Sequence, residues 1–281
     1  MNRIIVLLSG VFLFLSAFIT GCGEEVSIQY ELEMVPGLCF LHVHIGDEMN
    51  IGLIPDEINE FVPMWLCDSL HTRGSFGVSL LGINLTDFSP QLLFLSREIT
   101  TDEMLQLGTS GFNCRFEENP EACNLIDDRG SMIGSIACRD GWTCLVTGSG
   151  ADRTAGRWLE LELEESLASD IDLVSISESD ADLTVLISHN SIAFVSVIPT
   201  GMLSRAEISM LSNVKSLIQT IDPRALRISL DISSEDPQVT HLELQLVRDK
   251  DNVTTFSADF SDTELTPEDL LQIIRDGGIL Y

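Results

Sequence analysis

The chain predicts an α+β fold in which two lobes of antiparallel sheet each pack helices on one face. Three features predict it. Short runs alternate apolar and polar residues, as half-buried strands do. Longer runs set apolar residues on one helical stripe. The order strand, strand, helix, strand, strand then occurs twice, over residues 26–96 and 183–247. With 281 residues, 44% of them apolar, the chain can bury a core in one large domain or two small ones.

The first series opens at Val26–Met34, VSIQYELEM, which alternates without error and predicts a strand. Val35-Pro36-Gly37 predicts a turn and Leu38–Ile45 a second strand, so the two make a hairpin. Pro55–Leu70 predicts a helix with Ile58, Phe61, Val62, Trp65 and Leu66 on one stripe, kinked at Pro63. Phe76–Leu85 and Gln91–Ser96 predict strands. Thr101–Leu107 predicts a short helix, capped by Thr101 and stopped by Gly108. Met132–Cys138 and Trp142–Thr147 predict strands about an Asp140-Gly141 turn. Asp152–Leu167 is read as a helix. Its stretch Trp158–Glu165 alternates like a strand as well, but Glu and Leu favour helix.

The second series has strands at Leu183–His189 and Ser191–Ile198, a helix at Ser204–Ile221, and strands at Ala225–Ile232 and Val239–Val247. A strand at Val253–Phe260 and a helix at Pro267–Arg275 follow. That last helix has Thr266 as N-cap, Gly277 as stop, and Leu270, Ile273 and Ile274 as a stripe that must dock on a sheet. Acids and serines cluster in residues 168–182. The expected organisation is therefore a leader at 1–21, an N-terminal lobe at 22–169, an acidic connector at 170–182 and a C-terminal lobe at 183–281. The two series share almost no residue identity, which leaves two readings open, a structural duplication or a chance recurrence of pattern.

Charge narrows the partners. Fifteen Lys and Arg stand against 44 Asp and Glu, a formal charge of −29. That balance argues against nucleic acid and against anionic lipid surfaces. Only Lys215 and Lys250 are lysines. The acids spread along the whole chain, which suits solubility in salt better than one cation site.

The opening residues bear on location. Arg3 is followed by an uncharged, mostly apolar run, Ile4–Ile19, and then by Thr20-Gly21-Cys22. A basic start, a short apolar core and a small residue before the cut describe a secretory signal. The run is shorter than the about 20 residues a bilayer span wants. The tetrapeptide Ile19-Thr20-Gly21-Cys22 resembles the lipobox of bacterial lipoproteins. The resemblance implies that Cys22 is lipidated, becomes the new N-terminus and holds the protein to the membrane by several acyl chains. Gly23, where an Asp would signal inner-membrane retention, points to the outer membrane. Removing 1–21 leaves 260 residues, with 14 basic against 44 acidic residues, or −30. Only Gly23, Glu24 and Glu25 then separate the lipid from Val26, a reach of at most about 10 Å.

Six cysteines remain, an even number in an exported chain, which reads as disulfides. Cys114 and Cys123 close the loop RFEENPEA, which shows no strand pattern. Cys138 and Cys144 flank the Asp140-Gly141 turn. Cys39 and Cys67 are left for each other. There is no C-x-x-C and no cysteine–histidine cluster, so zinc is disfavoured.

His42-Val-His44 is the sharpest local feature. In a strand both rings face one side, about 7 Å apart at the backbone, as two ligands of one metal can be. Asp47 and Glu48 follow within reach. The plainer reading is two histidines on the wetter face of a strand, and it is preferred. No cofactor motif, P-loop, H-E-x-x-H or G-x-S-x-G occurs, and no catalytic residue is assigned. His71, His189 and His241 stand alone, and the acidic 170–182 stretch lacks a calcium-loop pattern. The expected function is a non-catalytic envelope lipoprotein, a binding or structural module. It would contact the membrane through its lipid and an unidentified envelope protein or ligand. The alternatives are a secreted hydrolase without a recognisable motif and a carrier of apolar ligands.

Overall fold

A computed structural model describes residues 27–46, 75–84, 90–97, 113–116, 122–126, 130–190, 223–232, 239–249 and 252–261. The strands are β1 (Leu41–Ile45), β2 (Phe76–Ile83), β3 (Pro90–Arg97), β4 (Asn113–Phe116), β5 (Ala122–Ile126), β6 (Met132–Arg139) and β7 (Trp142–Thr147). In the later part of the chain come β8 (Leu183–Ile187), β9 (Ala225–Ile232), β10 (Val239–Asp249) and β11 (Asn252–Ser261). The helices are α1 (Ile28–Leu32), α2 (Ala151–Leu159) and α3 (Ile171–Val174), with two 3-10 turns, Leu163–Glu165 and Leu167–Ser169.

All eleven strands belong to one antiparallel sheet, in the order β11-β10-β9-β8-β1-β2-β3-β7-β6-β5-β4. This corrects the expectation of an α+β protein with two lobes: the fold is mostly β. The reason is the pairing of β1 with β8, which runs from His42 opposite Leu186 to Ile45 opposite Leu183. The edge that would have bounded each lobe is thus the middle of one sheet. Gly46 N–H donates to Asp182 O at 2.8 Å and carries the join past the strand ends. Central strands buried on both faces read as nearly continuous apolar runs. LTVLI of β8 is such a run, and Leu183, Thr184, Val185 and Leu186 are all buried.

Val26–Met34 was expected as a strand, and its described part forms the short helix α1. Ile28 and Leu32 lie four apart and are buried, while Tyr30 faces solvent. The same letters satisfy both periods, and the helix wins because it turns Ile28, Glu31 and Leu32 to one side. The expected helix Asp152–Leu167 ends early, at Leu159. From there to Ser169 the chain makes the two 3-10 turns. Residues 171–174 of the expected connector form α3, capped by the Asp170 carboxylate accepting from Leu173 N–H at 3.1 Å. Leu173 and Ile176 are buried in the core.

The helices and 3-10 turns cover one face of the sheet. Trp158, Ala155, Leu167 and Leu173 pack there with Leu93, Leu95, Val146 and Leu186. Two arginines fasten this layer. Arg139 of β6 donates to the carbonyls of Trp158, Leu159 and Leu161 at 2.9, 3.2 and 2.8 Å. It thereby satisfies the open C-terminal end of α2 with a positive charge. Trp158 Nε1 donates to Met34 O at 2.7 Å, which ties α2 to the segment after α1. Arg227 of β9 donates to the carbonyls of Ile176 and Glu178 and pairs with Glu243. The opposite face is buried as well, through Ile45, Phe76, Phe94, Val185 and Leu244.

Cys138 and Cys144 do not form the expected disulfide, and neither does Cys39, since all three are reduced. The register explains the first case. A two-residue turn at Asp140 (φ 52°) and Gly141 (φ 76°) sets Arg139 opposite Trp142. Cys138 then falls opposite Thr143, and Ala137 opposite Cys144. One residue of offset turns the two sulfurs to opposite faces. The ends of the expected loop RFEENPEA belong to strands instead, since Asn113–Phe116 and Ala122–Ile126 form the β4–β5 hairpin. Cys123 is disulfide-bonded. The side chain of Cys114, its expected partner, lies outside the described residues, so Cys114–Cys123 remains an expectation. Also outside them are Cys22, Cys67, His71, Asp47, Glu48, the expected helices at 55–70, 101–107, 204–221 and 267–275, and the strand at 191–198.

Alkylation should therefore label Cys138 in the native protein and Cys144 only after unfolding, without any reductant. A disulfide-linked peptide joining Cys138 to Cys144 would contradict this register.

Candidate functional site

The two histidines of β1 do share a face, as their spacing requires. That face is not wet. His42 and His44 lie beneath α1, fully and almost fully buried. A buried imidazole needs hydrogen-bond partners, since none comes from water. The register supplies one: Ser79 of β2 stands opposite His42, and its Oγ lies 2.9 Å from His42 Nδ1. The other partner comes from α1. The Glu31 carboxylate, 1% exposed, spans both rings. Its Oε2 lies 2.7 Å from His44 Nδ1, and its Oε1 lies 2.9 Å from His42 Nε2. The His44 contact is a well-formed hydrogen bond. The His42 contact is as close but is not aligned as a hydrogen bond.

Ser79 O–H donates to His42 Nδ1, His42 N–H faces Glu31, and His44 Nδ1–H donates to Glu31. Burial by itself would push the Glu31 carboxyl up. The His44 charge interaction, with the contacts to His42, outweighs it and brings the group from 4.5 down to about 2. Glu31 is thus a carboxylate throughout the physiological range.

The carboxylate fits only because residue 77 is glycine. Gly77 stands opposite His44. A Cβ there would lie 1.8 Å from Glu31 Oε1, 2.7 Å from Glu31 Cδ and 2.8 Å from His42 Cε1. Cys39 borders the cluster. Its Sγ lies 2.9 Å from Leu41 O, and burial pushes its thiol up to about 12. Burial likewise pushes up the thiols of Cys138 and Cys144. None of the three is disposed to act as a thiolate.

Ser79, His42 and Glu31 stand in the order of a hydroxyl–imidazole–carboxylate relay. Ser79 is fully buried, however, and no substrate can approach its Oγ while α1 is in place. His42 and His44, weighed above as two ligands of one metal, are directed at Glu31. Among the described residues no set of three or more His, Cys, Asp or Glu is arranged to hold a metal ion. His241 does not stand alone. It faces Asp259 across β10 and β11 at 2.7 Å, an exposed pair that contributes little. His189 is exposed. The sequence reading missed Glu31, Ser79 and Gly77. The available signal was Ile28 and Leu32 at helical spacing, which sets Glu31 beside them on the buried side.

Gly77→Ala should displace the Glu31 carboxylate and destabilise the fold by about 3 kcal/mol or more. Glu31→Ala in the same chain should recover part of that loss, because the clash is with that side chain. Additive losses in urea unfolding would exclude the contact.

The Glu31 carboxyl also sets a pH window. Its folded value is depressed, so its stabilisation is present above its unfolded value near 4.5 and disappears as pH falls to about 2. A depression of this size amounts to about 3 kcal/mol. The stability gap between wild type and Glu31→Gln should be full at pH 7 and shrink between those limits. A gap independent of pH would rule out ionised Glu31 as its source. No protein-family model, curated protein or solved structure matches the chain.

Proposed function

We propose that the protein is a non-catalytic, lipid-anchored component of the bacterial envelope that serves as a binding or structural module. The observation that carries this reading is the closure of the Glu31–His42–His44–Ser79 cluster. A carboxylate, two imidazoles and a hydroxyl that could serve acid–base chemistry are turned on one another beneath α1. Their groups hold α1 to β1 and β2, and none is presented to solvent. This favours the module over the hydrolase at this place in the fold. Location rests on the Ile19-Thr20-Gly21-Cys22 lipobox, with Gly23 favouring the outer membrane. Among the described residues no helix is long and apolar enough to cross a membrane. The lipid on Cys22 would supply the attachment, and two or more acyl chains hold for long times.

Mass analysis of the exported protein tests the anchor. The expected N-terminus is acylated Cys22, and Cys22→Ser should leave an unprocessed, unlipidated precursor. A mature wild-type chain that retains residues 1–21 would overturn this reading.

A further inference from the structure

Most apolar side chains in the helical layer point into the core, but three aliphatic ones do not. Leu38 is 79% exposed, Ile171 69% and Leu163 55%, more than any other aliphatic side chain among the described residues. The three lie on segments bound to each other. Gly37 N–H donates to Glu165 O at 2.7 Å, and Pro36 bridges Ser166. Leu38 therefore follows a residue bonded to the 3-10 turn that holds Leu163. Ile171 follows one turn later, joined through Ser169 N–H to Ser166 O and Asp170 N–H to Leu167 O.

The charge around them is largely negative, although Arg224 lies 3.6 Å from Asp172 beside Ile171. Residues 160–182 hold nine carboxylates and no Lys or Arg. Glu160, Glu162, Glu164 and Glu165 are exposed, and among the described residues none of the four has an ion pair. The unneutralised glutamates repel one another, and the exposed Leu163 between them gains nothing from the core. Apolar side chains that stay in water beside one sign of charge mark a contact surface of opposite charge.

We infer that this surface, Leu38, Leu163 and Ile171 with Glu162, Glu164 and Glu165, docks a basic amphipathic polypeptide segment, whose Lys or Arg residues flank an apolar anchor. The inference rests on the binding-module reading and names the chemistry of its partner. The carboxylates meet the cations, and the aliphatic side chains take the anchor. A bilayer is the less suitable occupant, because these glutamates would have to approach the headgroups with their charge unneutralised.

The full processed chain can be titrated with two peptides of equal charge, one of lysine and leucine and one of lysine and serine. The lysine–leucine peptide should bind about tenfold more tightly, since charge alone cannot distinguish them. Leu163→Ser with Ile171→Ser leaves net charge unchanged and should abolish that preference. Glu162→Gln, Glu164→Gln and Glu165→Gln together should weaken binding about tenfold. The same number of changes at exposed Asp140, Asp152 and Asp231 should weaken it less than about twofold. Equal loss from both acid sets, or a preference that survives the leucine changes, would overturn the inference. So would binding to phosphatidylcholine vesicles that disappears with Leu163→Ser, which would make this the membrane face. Unchanged urea midpoints in the variants separate loss of binding from loss of fold. Lipidation of Cys22 is read independently, so either proposal can fail while the other stands.

Discussion

Strand β1 is paired on both sides, to β2 and to β8, and the rest of the molecule follows from that constraint. A strand with no free edge in the middle of an eleven-stranded sheet also has no wet face. Val43 and Ile45 meet the demand on one side as ordinary apolar core. On the other side the sequence places His42 and His44, whose nitrogens cannot be left unpaired in a dry interior. Glu31 and Ser79 exist in the structure as the answer to that demand. Gly77 is the space the answer requires. The pairing that joins the two halves of the chain and the buried cluster at their junction are thus one feature of the fold.

The few basic residues are placed with the same economy. Arg139 and Arg227 sit within the helical layer, where short helices and 3-10 turns leave carbonyls without partners. Each donates to several of them from a strand, so the sheet itself closes the ends of the elements above it. In a chain with 15 basic residues, these two serve as backbone donors as well as partners of acids. The segment between Glu160 and Asp182 carries nine acids and no Lys or Arg. That segment has two sides. Leu167, Leu173 and Ile176 belong to the core, whereas Leu163 and Ile171 find no place in it.

Much of the strand content was legible. Apolar patterning marked β2, β3, β6, β7, β8, β9, β10 and β11 to within a few residues, and Asp140-Gly141 marked its turn. The misreadings have physical causes. Val26–Met34 alternates faultlessly, yet Ile28 and Leu32 also fit a helix, and only the sheet beneath decides which period is used. The stretch after Trp158 contains strong helix formers and sets Leu159, Leu163 and Leu167 at helical spacing, yet the helix ends at Leu159, Leu167 enters the core and Leu163 stays exposed. Proximity of Cys138 to Cys144 suggested a bridge, whereas pairing about a two-residue turn fixes which face each sulfur takes.

The candidate site was half legible. Two residues of spacing sufficed to put His42 and His44 on one face. Their partners lie eleven residues back in a helix and more than thirty residues ahead in another strand, and no local pattern connects them. By itself, the sequence determined the charge, the strand-rich patterning and the shared face of the two histidines, because these depend on composition and short-range spacing. Only the tertiary structure decided that β1 pairs with β8, that the histidine face is dry, and that Glu31 fills it over Gly77. Those outcomes depend on which distant segments share backbone hydrogen bonds, and burial is a property of the assembled sheet rather than of any residue within it.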